Sequence, residues 1–122
     1  MSELSIEELR LAIADGDSSP LLDAVHRNDI ERLNMLISFG ADVNIFDDEY
    51  RMTPLHYAAS SGKRGCLKAL INSGRCDYTL LDRFGRSAAT VAIEWGEDFA
   101  AGRLLARKKL IQEVQRRGSL LA

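Results

Sequence analysis

Histidines, cysteines and clustered acids are the residues of this chain whose chemistry goes beyond packing, and they are sparse. The 122 residues hold two histidines, His26 and His56, thirty apart, and two cysteines, Cys66 and Cys76, ten apart. Acid–base catalysis by an imidazole needs a substrate-facing partner group within reach, and a structural zinc site needs four donors in paired spacing. The sequence has no H-E-x-x-H, no C-x-x-C, no Walker-type Gly-Lys-Ser/Thr loop and no strand-following G-x-G-x-x-G. Asp47-Asp48-Glu49 is the longest acidic run, but an EF-hand needs alternating ligands and a distal Glu. It reads as a solvated acidic tip, with a weak divalent-cation or enzymatic site as the alternative. Cys66 falls on an apolar helical stripe as a core thiol, whereas Cys76, in a loop between Arg75 and Asp77, is expected to be exposed. No catalytic residue, metal ligand or cofactor is therefore expected.

The elements that carry these residues recur. A shift of 34 superimposes Pro20 on Pro54, Leu21 on Leu55, Ala24 on Ala58, Leu33 on Leu67, Leu36 on Leu70, Ile37 on Ile71 and Gly40 on Gly74. A second shift takes Ala58 to Ala92, Gly62 to Gly96 and Leu70 to Leu104. A fixed period of this length marks an array of stacked copies. In the middle copy Thr53 supplies a hydroxyl N-cap, Pro54 the first helical position and Gly62 the stop of a two-turn helix. A second helix over 63–73 sets Cys66, Leu67, Leu70 and Ile71 at helical spacing and ends at Gly74. Residues 40–44 and 82–86 have turn chemistry.

Thr53-Pro54-Leu55-His56-Tyr57-Ala58-Ala59, the Gly62 stop, Leu70-Ile71 and Gly40-Ala41-Asp42-Val43-Asn44 resemble the ankyrin repeat over about residues 18–105. The resemblance implies an all-α solenoid of stacked antiparallel helix pairs with finger loops. It also implies that the Thr53 hydroxyl caps its helix and that His56 bonds backbone across repeats. Ser87 and Thr90 stand at the matching places of the third copy, keeping hydrogen-bonding capacity without an imidazole, which argues against chemistry at His56. The copies depart from the pattern by one inserted residue per finger, near Asp47-Asp48 and near Arg75-Cys76. Arg51 replaces a turn glycine, a change expected to reshape that turn. The degenerate outer copies suit capping repeats. The expected division is an N-terminal capping helix at 1–17, repeats at 18–50, 51–84 and 85–105, and an extended C-terminal helix and tail at 106–122.

At the N-terminal end Ser5 is an N-cap, with Glu8 completing a capping box and Leu4 facing Leu9 as a hydrophobic staple; Ile6, Leu9 and Ile13 make the apolar stripe. At the other end Asp98 caps a helix through Leu104, Leu105, Leu110, Ile111 and Val114 to about Arg117, with Gly118 as stop and Leu120-Leu121-Ala122 frayed or folded back. Its bases, Arg103, Arg107, Lys108, Lys109, Arg116 and Arg117, read first as the polar face of a cap. The alternatives are an acidic protein partner, or nucleic acid or an anionic surface, for which interleaved aromatics are lacking.

The composition describes one globular domain, 46% apolar and 28% charged, with no run near the roughly 20 apolar residues of a spanning helix. The acidic N-terminus is unlike a secretory signal, so a cytoplasmic, reducing location is expected. Net charge is −2, yet residues 1–50 carry twelve acids and three bases and residues 51–122 six acids and thirteen bases. This places −9 at one end of a stack and +7 at the other. By the resemblance, the partner-binding positions are Glu49, Tyr50, Met52, Ser60 and Ser61 in the middle copy and Arg83, Phe84, Arg86, Glu94 and Trp95 in the third, with His26 and Arg27 from the first. Tyr50, Phe84 and Trp95, flanked by Arg83 and Arg86, are expected to form the centre; packing against the C-terminal helix is the alternative for Trp95. The implied function is a non-catalytic protein-binding module, an adaptor, scaffold or inhibitor, monomeric or stacking head to tail.

Overall fold

The computed structural model describes residues 5–17 and 19–121, with side chains up to residue 118. The expected Leu4 staple and the last residue, Ala122, lie outside the described residues. Seven helices are present there: α1 (Ile6–Ala14), α2 (Ser19–His26), α3 (Ile30–Ser38), α4 (Pro54–Ser60), α5 (Arg64–Asn72), α6 (Ala88–Glu94) and α7 (Phe99–Leu121). They form three pairs, α2/α3, α4/α5 and α6/α7, with α2, α4 and α6 stacked as an inner layer and α1 packed on α2. Ala24, Ala58 and Ala92, one per inner helix, are fully buried, so small side chains set the close approach of the repeats. Leu21, Leu33, Leu36, Leu55, Leu70, Val91 and Leu105 fill the space around them.

Side-chain caps start α1, α3, α6 and α7, whereas α5 starts after Lys63 without one. The Ser5 hydroxyl accepts from Glu8 N–H at 3.2 Å, Asp29 Oδ1 from Arg32 N–H at 3.0 Å, the Ser87 hydroxyl from Thr90 N–H at 3.3 Å and Asp98 Oδ1 from Ala101 N–H at 3.1 Å. At α4 the cap is reciprocal. Thr53 Oγ1 accepts from His56 N–H and His56 Nδ1 accepts from Thr53 N–H, both at 3.3 Å.

The period breaks at the α6–α7 turn. Helices α4 and α6 begin 34 residues apart, at Pro54 and Ala88, but α5 and α7 begin 35 apart, at Arg64 and Phe99. Leu105, 1% exposed, therefore takes the place of buried Leu70, while Leu104, which the 34-residue shift matched to it, is 45% exposed. Asn28 and Gly62 hold left-handed backbone in the first two inter-helix turns, with φ of 55° and 64°; in the third the left-handed residue is Glu97, φ 49°, one position after Gly96. The first finger is not reshaped at Arg51, which keeps the left-handed conformation, φ 54°, that Gly85 adopts one repeat on, φ 76°. That costs a non-glycine residue about 1–2 kcal/mol. The Arg51 guanidinium lies 4.7 Å from the Phe46 ring centroid.

Helix α7 is one continuous element through the expected 105/106 boundary, and Gly118 does not stop it; the backbone stays helical to Leu121, so Leu120 and Leu121 of the stretch expected to fray or fold back continue the helix. Its length is used. Gln112 Nε2 donates to Cys76 O and Gln112 Oε1 accepts from Tyr78 N–H, both at 2.8 Å, while Asn44 makes the same two-bond clasp on Arg75 O and Asp77 N–H, at 2.9 and 2.8 Å. The loop is thus held by Asn44 of the first finger and, from the other side, by Gln112. Arg116 adds an ion pair to Asp77 at 3.0 Å and a bond to the Thr79 hydroxyl at 2.8 Å. Cys76 is consequently buried, 5% exposed, and not on the surface. Its thiol donates to Leu70 O at 3.2 Å, and burial pushes its pKa up to about 11, which leaves it unreactive at neutral pH. Cys66 is a core thiol, fully buried and likewise raised by burial.

Candidate binding surface

The second finger is built around Asp82. Its Oδ1 accepts from Phe84 N–H at 2.9 Å and Arg86 N–H at 3.0 Å, and its Oδ2 accepts from Arg86 Nε at 2.9 Å. Burial opposes ionisation of this carboxyl, but the Arg86 backbone and guanidinium and the Phe84 N–H outweigh it and hold the pKa below the ordinary carboxylate value. The turn projects Phe84 and folds Arg86 back so that its guanidinium lies 5.1 Å from the Phe84 ring and 5.5 Å from the Trp95 ring. Arg86 is charged, yet Asp82 already neutralises it.

Asp47 does the same work in the first finger, with one more residue in its turn. Its Oδ1 accepts from Tyr50 N–H at 2.9 Å and Met52 N–H at 3.3 Å, and its Oδ2 accepts from the Tyr57 hydroxyl. The reading of three solvated acids thus needs correction: Asp48 and Glu49 are exposed, but Asp47 is half-buried and closes the finger. Among the described residues no cluster of three His, Cys, Asp or Glu side chains is placed to hold a metal ion.

The two fingers are tied together at their tips. Arg83 N–H donates to Tyr50 O at 2.8 Å and Arg83 Nη1 to Glu49 O at 3.0 Å, which sets the Tyr50 and Phe84 rings 6.4 Å apart. Between fingers and inner helices lies an open cavity of about 600 Å³, lined by Tyr50, Met52, Tyr57, Ser60, Phe84, Arg86, Val91 and Trp95. His26 extends the aromatic surface, its ring 4.7 Å from that of Tyr57.

Of the ten sequence-derived positions in the middle and third copies, six meet in this cavity: Tyr50, Met52, Ser60, Phe84, Arg86 and Trp95; His26 and Arg27 of the first copy do not line it. Met52 forms floor and not rim, at 8% exposure. Trp95 is 65% exposed and lies over Arg86, an arrangement unlike a packing residue against α7. The other four do not line it. Arg83 and the Glu49 carbonyl join the fingers, Ser61 Oγ donates to Tyr57 O at 2.6 Å, and Glu94 is exposed at the end of α6. Tyr57 and Val91 were missed; Tyr57 lies one helical turn before Ser60, and that spacing was the available signal. His56 faces away from the cavity chemistry. It is 1% exposed, and its Nε2 donates to Arg86 O, 2.8 Å away, across the repeat junction.

This architecture can be set beside known sequences. The profile of ankyrin repeats in three copies matches residues 9–117. The chain belongs to the ankyrin-repeat family. It is 36% identical over 58 residues to the 2-5A-dependent ribonuclease of Mus musculus, 48% of this chain and 8% of that protein. It is 37% identical over 75 residues to the palmitoyltransferase AKR1 of Candida albicans, 61% of this chain and 9% of that one. It is 40% identical over 73 residues to the ADP-ribosylation factor GTPase-activating protein AGD4 of Arabidopsis thaliana, 60% of this chain and 9% of that protein. The match thus spans less than a tenth of each relative's length. As ankyrin repeats, the helix pairs are a protein-interaction module of a generally non-catalytic kind. Among the described residues no helix is long and apolar enough to cross a membrane.

Proposed function

We propose that this ankyrin-repeat chain is a non-catalytic protein-binding module, an adaptor, scaffold or inhibitor, whose anchor site is the cavity between the two fingers. One observation carries the reading. Tyr50, Phe84 and Trp95, respectively 41%, 63% and 65% exposed, converge on a single cavity although nothing in the core requires them there. Large rings left in water are unfavourable, and aromatic groups with a neighbouring Arg are the side chains that dominate binding hot spots. The Asp47 and Asp82 turns fix the backbone that carries Tyr50 and Phe84 before any partner arrives, which lowers the conformational entropy lost on binding. The occupant is an apolar side chain of the partner, seated between the rings of the preformed cavity. Two buried free thiols suit a reducing compartment such as the cytoplasm.

The basic helix is a weaker candidate for nucleic acid or an anionic surface. Arg116 is held by Asp77, Lys109 pairs with Glu113 at 2.9 Å and Lys108 lies 5.6 Å from the Tyr78 ring, so half of its six bases are engaged within the protein. The test is a Tyr50→Ala/Phe84→Ala/Trp95→Ala triple variant. It is expected to keep wild-type helical circular dichroism and to lose its partner in a pull-down, since each hot-spot ring contributes about 2 kcal/mol or more. A folded triple variant that still captures the same partner overturns the assignment.

A further inference from the structure

The outer helices differ from one junction to the next. At the first, α3 packs along α5, and Ile30 fills the space over Gly65: a Cβ placed there would stand 2.3 Å from Ile30 Cδ1. At the second, the matching residues are Arg64 and Ala100. Arg64 is drawn away to Asp98, with Nε to Oδ2 at 2.8 Å and Nη2 to Oδ1 at 2.9 Å, so among the described residues no apolar side chain fills the seat beside Ala100. An apolar groove of about 350 Å³ results between α5 and α7, lined chiefly by Leu67, Ile71, Ala100, Ala101 and Leu104. Of its charged lining, Lys68 carries an unpaired positive charge and Arg64 is already neutralised by Asp98. Arg64 and Lys68 lie along the groove, and Arg103 and Arg107 share the exposed stripe of α7 with Ala100 at helical spacing. Among the described residues Lys68, Arg103 and Arg107 make no ion pair, and no carboxylate lines the groove.

We propose that this groove is a second docking site, distinct from the finger cavity, for an acidic amphipathic helix of a protein partner. A helix laid between α5 and α7 places one apolar residue where Ile30 sits at the first junction and repeats the packing of α3 on α5. Acidic residues on its flanks meet Lys68 in the groove lining and Arg103 and Arg107 on the exposed stripe of α7 beside it, in the half of the chain that carries +7. A flat bilayer does not enter a recessed groove, so the shape selects a helix over a lipid surface.

The probe is a phage-displayed library of 16-residue peptides, selected on the full chain and counter-selected on an Ala100→Phe variant whose ring fills the groove. The proposal expects helical peptides with an apolar stripe at i, i+3, i+4 and i+7 flanked by Asp or Glu. Synthetic copies should lose about tenfold or more in affinity on Ala100→Phe and on the surface variant Lys68→Glu/Arg107→Glu, and should bind a Trp95→Ala variant normally. If Ala100→Phe disturbs the helical circular dichroism, the charge-reversal pair alone decides. Four results overturn it: no enrichment over the filled variant, basic or extended peptides, capture of phosphatidylserine vesicles through these residues without peptide binding, or self-association that Ala100→Phe abolishes. The last assigns the groove to α1 of a second copy, which exposes Ile6 and Leu11 beside Glu7 and Glu8.

Discussion

A His56→Ala variant is expected to lose about 3 kcal/mol of folding stability, because it removes three bonds at one buried point and leaves a cavity. The ring holds Arg86 O through Nε2 at 2.8 Å and receives Thr53 N–H at 3.3 Å on Nδ1, with the Thr53 hydroxyl 2.8 Å from that nitrogen. Nε2 faces a carbonyl and must donate, so Nδ1 accepts and the imidazole is neutral. Burial lowers its pKa from 6.5, opposed by the Arg86 carbonyl bond and the charge of Asp82, aided by the charge of Arg86 and opposed again by Asp47. The sign follows. With the folded value below the unfolded one, the unfolded chain takes up the proton first, so this stability is complete above about pH 6.5 and is lost as pH falls through the lowered value. Urea unfolding of both proteins at pH 7.5 and pH 5 should show the deficit of His56→Ala shrinking at the lower pH. An equal deficit at both would contradict a neutral buried imidazole.

The second large effect belongs to Gly96. A Cβ there would stand 2.2 Å from Ala59 O, a backbone atom of α4 that moves only if the inner helices separate, and 3.0 Å from Ala92 O of α6. Gly96→Val should cost about 3 kcal/mol or more, read as a fall in the thermal midpoint. Two glycines in open space, Gly62 and Gly118, are controls. Gly62, with φ of 64° and open space, should cost only about 1 kcal/mol as Ala, from the left-handed backbone alone. Gly118→Ala, inside α7 with nothing within 4 Å, should be neutral or stabilising by about 0.5–1 kcal/mol. A Gly96→Val variant as stable as wild type would contradict the close contact of repeats two and three.

Which features were legible in the sequence follows from the range of the forces involved. Caps, glycine stops and the 34-residue period are local, and Thr53, Ser87 and Asp98 cap as their types require. The register of α7 was obscured because Leu104 and Leu105 are adjacent and identical, so a single inserted residue leaves the pattern looking intact. Burial of Cys76 was not legible either, since the clasp that covers its loop comes from Gln112, 36 residues away. Tyr50, Phe84, Arg86 and Trp95 could be assigned to one surface because repeat position places them on fingers and inner helices. That Arg86 would be neutralised, and Asp47 taken up by its own turn, depended on finger geometry one insertion apart.

Trp95 is the chain's single tryptophan, which makes the finger cavity directly observable. Labelling with 5-fluorotryptophan gives one 19F resonance from a ring that is 65% exposed in the free protein. Titration with the partner recovered in the pull-down should shift that resonance, in step with complex formation followed by sedimentation. A complex that forms while the Trp95 resonance stays at its free position would contradict the central claim that partners are anchored between the fingers.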